Sequence, residues 1–127
     1  MVYNTLMNDD TLHIYQEEKP WGNFRRFTLN TPSTVKILTL KPNEEFSLQN
    51  HGHRLEFWRV IMGNGSAIVG EETKDIVRGD ELTVPAHTKH RIQAGSEGIE
   101  ILEISLGLFD ESDIVRYEDK YGRVEHN

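Results

Sequence analysis

The apolar residues of this chain come in short runs of four to seven, rich in Val, Ile, Leu and Thr, each closed by Gly, Pro, Asn or a charged pair. Runs of that length between turn residues describe strands. Candidate strands are Thr34 to Leu40, Glu56 to Met62, Ser66 to Val69, Lys74 to Val77, Glu81 to Val84, His90 to Gln93 and Glu100 to Ser105. The intervening turns carry their own chemistry in Lys41-Pro42-Asn43, Gly63-Asn64-Gly65, Gly70-Glu71-Glu72, Arg78-Gly79-Asp80, Pro85-Ala86 and Gly95-Ser96-Glu97-Gly98. No helical spacing is sustained, apart from one short turn expected over Asp110 to Arg116. Short, evenly spaced strands predict an all-β sandwich or barrel, and 127 residues suit one domain.

The net charge of −7, with no Lys or Arg before Lys19, leaves no basic face for phosphate backbones or anionic lipid. We therefore expect no nucleic acid and no membrane as partner, and a small molecule as ligand. No stretch approaches the roughly 18 apolar residues that span a bilayer, and no signal-like N-terminus is present, so a cytoplasmic location is expected. The chain has no cysteine. Any metal would therefore be held by imidazole, carboxylate or amide.

Four of the six histidines, His51, His53, His87 and His90, fall in two short segments next to strand starts. Residues i and i+2 of an extended chain face the same side, so His51 and His53 can present both rings to one ion. Glu56 lies at an odd offset from His53 and joins them only if the chain bulges, which we place at Arg54-Leu55. His90 would close a shell of three histidines and one carboxylate, suited to Zn, Fe, Mn, Co or Ni. Strands also carry surface histidines, and an H-x-H pair by itself is weak evidence.

The order His51-x-His53, Glu56 and then Gly63 resembles the first cupin motif, and Gly79, Pro85 and His90 resemble the second. Further stretches resemble the type II mannose-6-phosphate isomerase domain: Lys19-Pro20-Trp21-Gly22, Val35-Lys36, Lys41-Pro42, Ser47-Leu48-Gln49, Trp58, and Asp113 through Arg123. The resemblance implies a cupin barrel, a double-stranded β-helix of jelly-roll type. We expect a single cupin domain over 1–127, with an N-terminal arm over 1–18, the barrel over 19–109 and a C-terminal tail over 110–127. It also implies isomerisation of mannose 6-phosphate to fructose 6-phosphate through an enediolate stabilised by one divalent metal, first of all zinc, on His51, His53, Glu56 and His90. In that family the domain is often fused behind a nucleotidyltransferase, for which this chain has no room.

Other readings are a non-catalytic sugar-binding or sensor cupin, and a metal cupin with dioxygenase or epimerase chemistry. Gln49, two residues before His51, is a candidate amide ligand or sugar contact, and Arg54 a candidate phosphate contact. Lys36 shares a strand face with Leu38 and Leu40. If that face is the inner one, its ammonium needs an anion, which makes Lys36 a candidate for substrate phosphate or proton transfer; otherwise Val35, Ile37 and Thr39 point inward. Lys36 and Glu56 are the catalytic candidates. Asn43 and His87 stand where the family carries glycine, at positions that often need positive φ. Like other cupins the chain is expected to form a homodimer, with Met1 to Asp10 crossing to the partner.

Overall fold

The computed structural model describes residues 12–107 and 109–123. These hold β1 (Tyr15–Lys19), β2 (Gly22–Arg26), β3 (Ser33–Leu40), β4 (Leu48–Asn50), β5 (Arg54–Val69), β6 (Glu72–Val77), β7 (Glu81–Val84), β8 (His90–Gly107) and β9 (Val115–Glu118). Strands make up the regular structure, and no helix occurs among the described residues. The expected helical turn over Asp110 to Arg116 is instead a hydrogen-bonded turn leading into β9. Val115 and Tyr117 are β-formers, and pairing with β4 decides their conformation. The arm expected over Met1 to Asp10 lies outside the described residues.

β5 and β8 organise everything else. They pair antiparallel from Arg54↔Gly107 to Val69↔His90, so each of these two long strands joins two of the shorter expected ones. Glycine is what lets the ladder bend rather than break. Between Gly63 and Gly65, β5 advances two residues while β8 passes from Ile99 to Ala94, so Gly95 to Gly98 bulge out of the ladder. A Cβ on Gly63 would stand 2.2 Å from the Gly98 carbonyl oxygen, and one on Gly65 2.1 Å from that of Gln93. Past the bend, each long strand exchanges partners. The first half of β5 pairs with β7 and its second half with β6, while β8 pairs with β4 near its start and with β3 near its end. Two sheets thus share two strands, and the space between them is filled by Trp58, Val60, Ala67, Ile76, Ile92, Ile99 and Ile101.

The N-terminal hairpin of β1 and β2 spans the boundary drawn between arm and barrel. Phe27, just beyond it, packs its ring 5.1 Å from that of Phe57, and Arg25 binds the Glu81 carboxylate at 2.6 and 2.9 Å. These contacts cover the outer face at the start of β5, where Arg54 to Trp58 are buried on both sides. On β3, Thr34, Lys36, Leu38 and Leu40 are half-buried, whereas Val35 and Ile37 are 59% and 61% exposed. Lys36 therefore does share the inward face with the leucines. Asn43 and His87 have φ of 61° and 62°, the left-handed conformation in which glycine is easiest.

Candidate metal centre

His51 follows β4, Glu56 lies on β5 and His90 opens β8, and the fold brings these three together between the sheets. All are buried, and one ligand atom from each lies within 4.8 Å of the others. His90 Nε2 is 3.2 Å from Glu56 Oε1, and His51 Nε2 is 3.9 Å from Glu56 Oε2. The two imidazole centroids are 5.0 Å apart, with Trp58 and Phe46 edge-on to His90.

Backbone carbonyls fix which nitrogen of each ring faces the centre. His51 Nδ1 is 2.7 Å from the Asp113 carbonyl oxygen and His90 Nδ1 is 2.9 Å from that of Thr88. A carbonyl only accepts, so both Nδ1 atoms carry protons, and it is Nε2 of each ring that faces the centre. Glu56 Oε1 and His90 Nε2 are buried without a hydrogen-bond partner. Two acceptors facing each other in a dry interior require positive charge between them. Two imidazole nitrogens and a carboxylate satisfy that need as ligands of a borderline divalent cation, so the residues fit such an ion.

The sequence expectation placed His53 in the shell, and the structure places it outside. The chain bends at Gly52-His53, before the expected bulge, and His53 is exposed. The Asp113 carboxylate holds this bend by accepting the amides of Gly52 at 2.8 Å and His53 at 2.9 Å. The bend absorbs the odd offset and lets Glu56 meet His51. Gln49 is better situated. It lies two residues before His51 on the face of buried Ser47, opposite His90 in the register, and its Oε1 accepts from Ser47 Oγ at 3.3 Å. A carbonyl-type oxygen with a second lone pair is thereby aligned with the cluster.

Arg54 is 8% exposed and lies against the centre. One guanidinium nitrogen is 3.0 Å from His51 Nε2, and Nε donates to Glu56 Oε2 at 3.3 Å. The Phe109 ring centroid lies 4.4 Å from the Arg54 guanidinium carbon and 4.3 Å from Lys36 Nζ, so one aromatic ring serves two cations. Lys36 also meets Glu111 at 3.4 Å, on a carboxylate that is 81% exposed. Burial by itself would raise the Glu56 carboxyl, but His90, His51 and Arg54 outweigh it and hold it at about 2.

Glu103 is the residue that sequence reasoning missed. It lies opposite Lys36 on β3 and Trp58 on β5, is buried, and accepts Trp58 Nε1–H at 3.0 Å. Burial, then the nearby Glu56 charge, push it up to about 7. The available signal was a carboxylate within Ile101-Leu102-Glu103-Ile104, where apolar neighbours on both sides mark a strand buried on both faces.

Two sheets that share two bent strands, with histidines and a glutamate converging between them, define a cupin. The chain matches the family described as Mannose-6-phosphate isomerase C-terminal over residues 7–119, and it belongs to that family. Mannose-1-phosphate guanylyltransferase of Salmonella montevideo is 34% identical over 115 residues, which are 87% of this chain and 24% of that protein. Xanthan biosynthesis protein XanB of Xanthomonas campestris pv. campestris is 36% identical over 108 residues, 84% of this chain and 23% of the relative. The chain thus spans about a quarter of the length of these curated relatives. A cupin protein of Bacteroides fragilis shares the fold at a TM-score of 0.56 and 20% identity, over 80% of this chain and 75% of that one.

Proposed function

We propose that the domain is a metal-dependent sugar-phosphate isomerase interconverting mannose 6-phosphate and fructose 6-phosphate. The observation that carries this reading is the convergence of lone pairs from His51, Glu56 and His90 beside two cationic side chains and a carboxyl group held near neutrality. Membership of that family supports this choice of substrate.

His51, Glu56 and His90, with the Gln49 amide oxygen, would hold one divalent ion, zinc first, with Mn, Fe, Co or Ni as alternatives. When bound, such an ion polarises the sugar carbonyl and stabilises the enediolate that forms when the neighbouring carbon loses its proton. Lys36 and Arg54 bind the phosphate and so orient the sugar over the centre. Glu103, titrating near neutral pH, is suited to carry the proton between carbons. Glu56 remains a ligand in this scheme, which moves the proton-transfer role expected of Glu56 or Lys36 to Glu103.

Metal-stripped protein, reloaded with one ion at a time, is assayed for fructose 6-phosphate formation. Turnover that returns with the metal supports the proposal, and full metal occupancy without any turnover sinks it. Two copies are further proposed to associate along β3, where Val35 and Ile37 present an apolar outer face and, among the described residues, β3 pairs with β8 alone. Elution at 14.7 kDa in gel filtration would contradict that association.

A further inference from the structure

His51 Nε2 offers one in-plane lone pair, and the guanidinium of Arg54 lies on it at 3.0 Å. The same group donates to Glu56 Oε2 at 3.3 Å. A lone pair that receives an N–H cannot simultaneously coordinate an ion, so the His51 nitrogen the centre needs is already taken by this chain's own cation, while Glu56 Oε1 and His90 Nε2 stay free. Among the described residues no second carboxylate pairs with Arg54. Its remaining contact is to the Asp110 carbonyl oxygen at 3.4 Å, and its flat face rests on Phe109. Lys36 rests on that same ring, countered by Glu111, a carboxylate 81% exposed that yields readily to a competing anion. Two cations sharing one ring, one of them nine-tenths buried, lack a doubly charged partner.

We propose that Arg54 switches between two ligands: its guanidinium stands in for the divalent cation on His51 and Glu56, and once displaced it completes with Lys36 a site for a phosphate monoester. The inference rests on the metal-centre reading and adds to it a linkage between two ligands. Metal entry frees the fork of N–H donors, and the freed fork matches phosphate oxygens in pairs. By reciprocity, phosphate bound at Arg54 and Lys36 holds the guanidinium off His51 and tightens the metal by the same factor. The sugar phosphate would thus meet its strongest anchor only in protein already competent for chemistry.

Calorimetry of the full chain tests this with zinc and methyl phosphate as probes. Methyl phosphate is expected to bind the zinc-loaded protein about 10-fold more tightly than the metal-free protein, with zinc tightened equally when methyl phosphate is present. Arg54→Gln should bind zinc more tightly than the parent in the absence of phosphate, because the competing cation is gone, and should lose the linkage. Weaker zinc binding by Arg54→Gln would show that Arg54 merely supports the ligands, and linkage that survives in this variant would show phosphate bound directly to the ion. Either result overturns the switch. Lys36→Gln provides a second check that leaves the buried ligands untouched: zinc affinity should stay within about 2-fold while methyl phosphate binding to loaded protein weakens about 10-fold. Unchanged methyl phosphate binding by that variant would overturn the site. Absence of zinc binding by parent and Arg54→Gln alike would bring down the metal centre itself, a result distinct from failure of the switch.

Discussion

Asp113 grips His51 and its neighbours from both ends of the residue. Its carbonyl oxygen accepts His51 Nδ1–H at 2.7 Å, while its carboxylate accepts the amides of Gly52 and His53. Burial works against the charge of that carboxylate, but the two amides and the nearby imidazoles outweigh it and hold its carboxyl below the usual range. The partner that fixes the orientation of His51 therefore comes from 62 residues further along the chain.

Asp113→Ala keeps the carbonyl oxygen that orients His51 but removes the carboxylate that holds the bend at Gly52 and His53, so it is expected to lower metal affinity by about 10-fold as the bend loosens. Imidazole nitrogen NMR provides an independent readout, because a loosened bend should carry the His51 ring away from the residue 113 carbonyl and mix its two tautomers. An unaltered His51 spectrum together with unaltered affinity would contradict this role.

Gln49→Ala and His53→Ala separate two versions of the ligand set. The exposed position of His53 predicts a change in metal affinity within about 2-fold on truncation, an effect typical of a surface side chain. Gln49→Ala removes an oxygen aligned with His51 and should weaken binding about 10-fold or more. The reverse order, measured by competition with a chromophoric chelator, would restore His53 to the shell.

That comparison also shows where the sequence could and could not be read. Glu56, His51 and His90, which the structure brings together, are legible from the motif order, with Glu56 and His90 on buried strand positions and His51 just beyond a strand end. His53 misleads because i, i+2 alternation presumes an extended chain, and the bend at Gly52 depends on Asp113, far away in sequence. Likewise Gly63 and Gly95 resemble turns, since glycine punctuates turns and bent strands alike. What distinguishes the cases is the approach of the other strand, visible only after folding. The positive φ of Asn43 and His87, by contrast, followed from the resemblance, because both stand where the family carries glycine.

Glu103 makes the stability of metal-free protein depend on pH. Its carboxyl is raised to about 7 in the folded state, from 4.5 in the unfolded chain. Between those values the unfolded chain gives up the proton and the folded protein keeps it. The unfolded state therefore binds fewer protons, and stability falls as pH rises from about 4.5 to about 7, then levels off. Thermal melts of chelator-treated protein should show that decline, and Glu103→Gln should flatten it relative to the parent. Parallel curves for the two proteins would refute the assignment.

His87 carries a side chain in a left-handed conformation, and its amide donates to the His51 carbonyl oxygen at 2.7 Å. His87→Gly keeps that amide and relieves the backbone, so it should stabilise the fold by about 0.5–1 kcal/mol. Denaturant midpoints measure this directly. A lower midpoint would mean that the exposed imidazole contributes more than the strain costs.

Because residues 109–118 supply Phe109, Asp113 and the strand that pairs with β4, the barrel can close before its centre is finished. On a translating ribosome, β3 to β8 emerge first, and domains begin folding as they appear. A nascent chain halted just after Gly107 would thus hold the histidines without the carbonyl that aims one of them, and ion capture would fall among the last events of biogenesis.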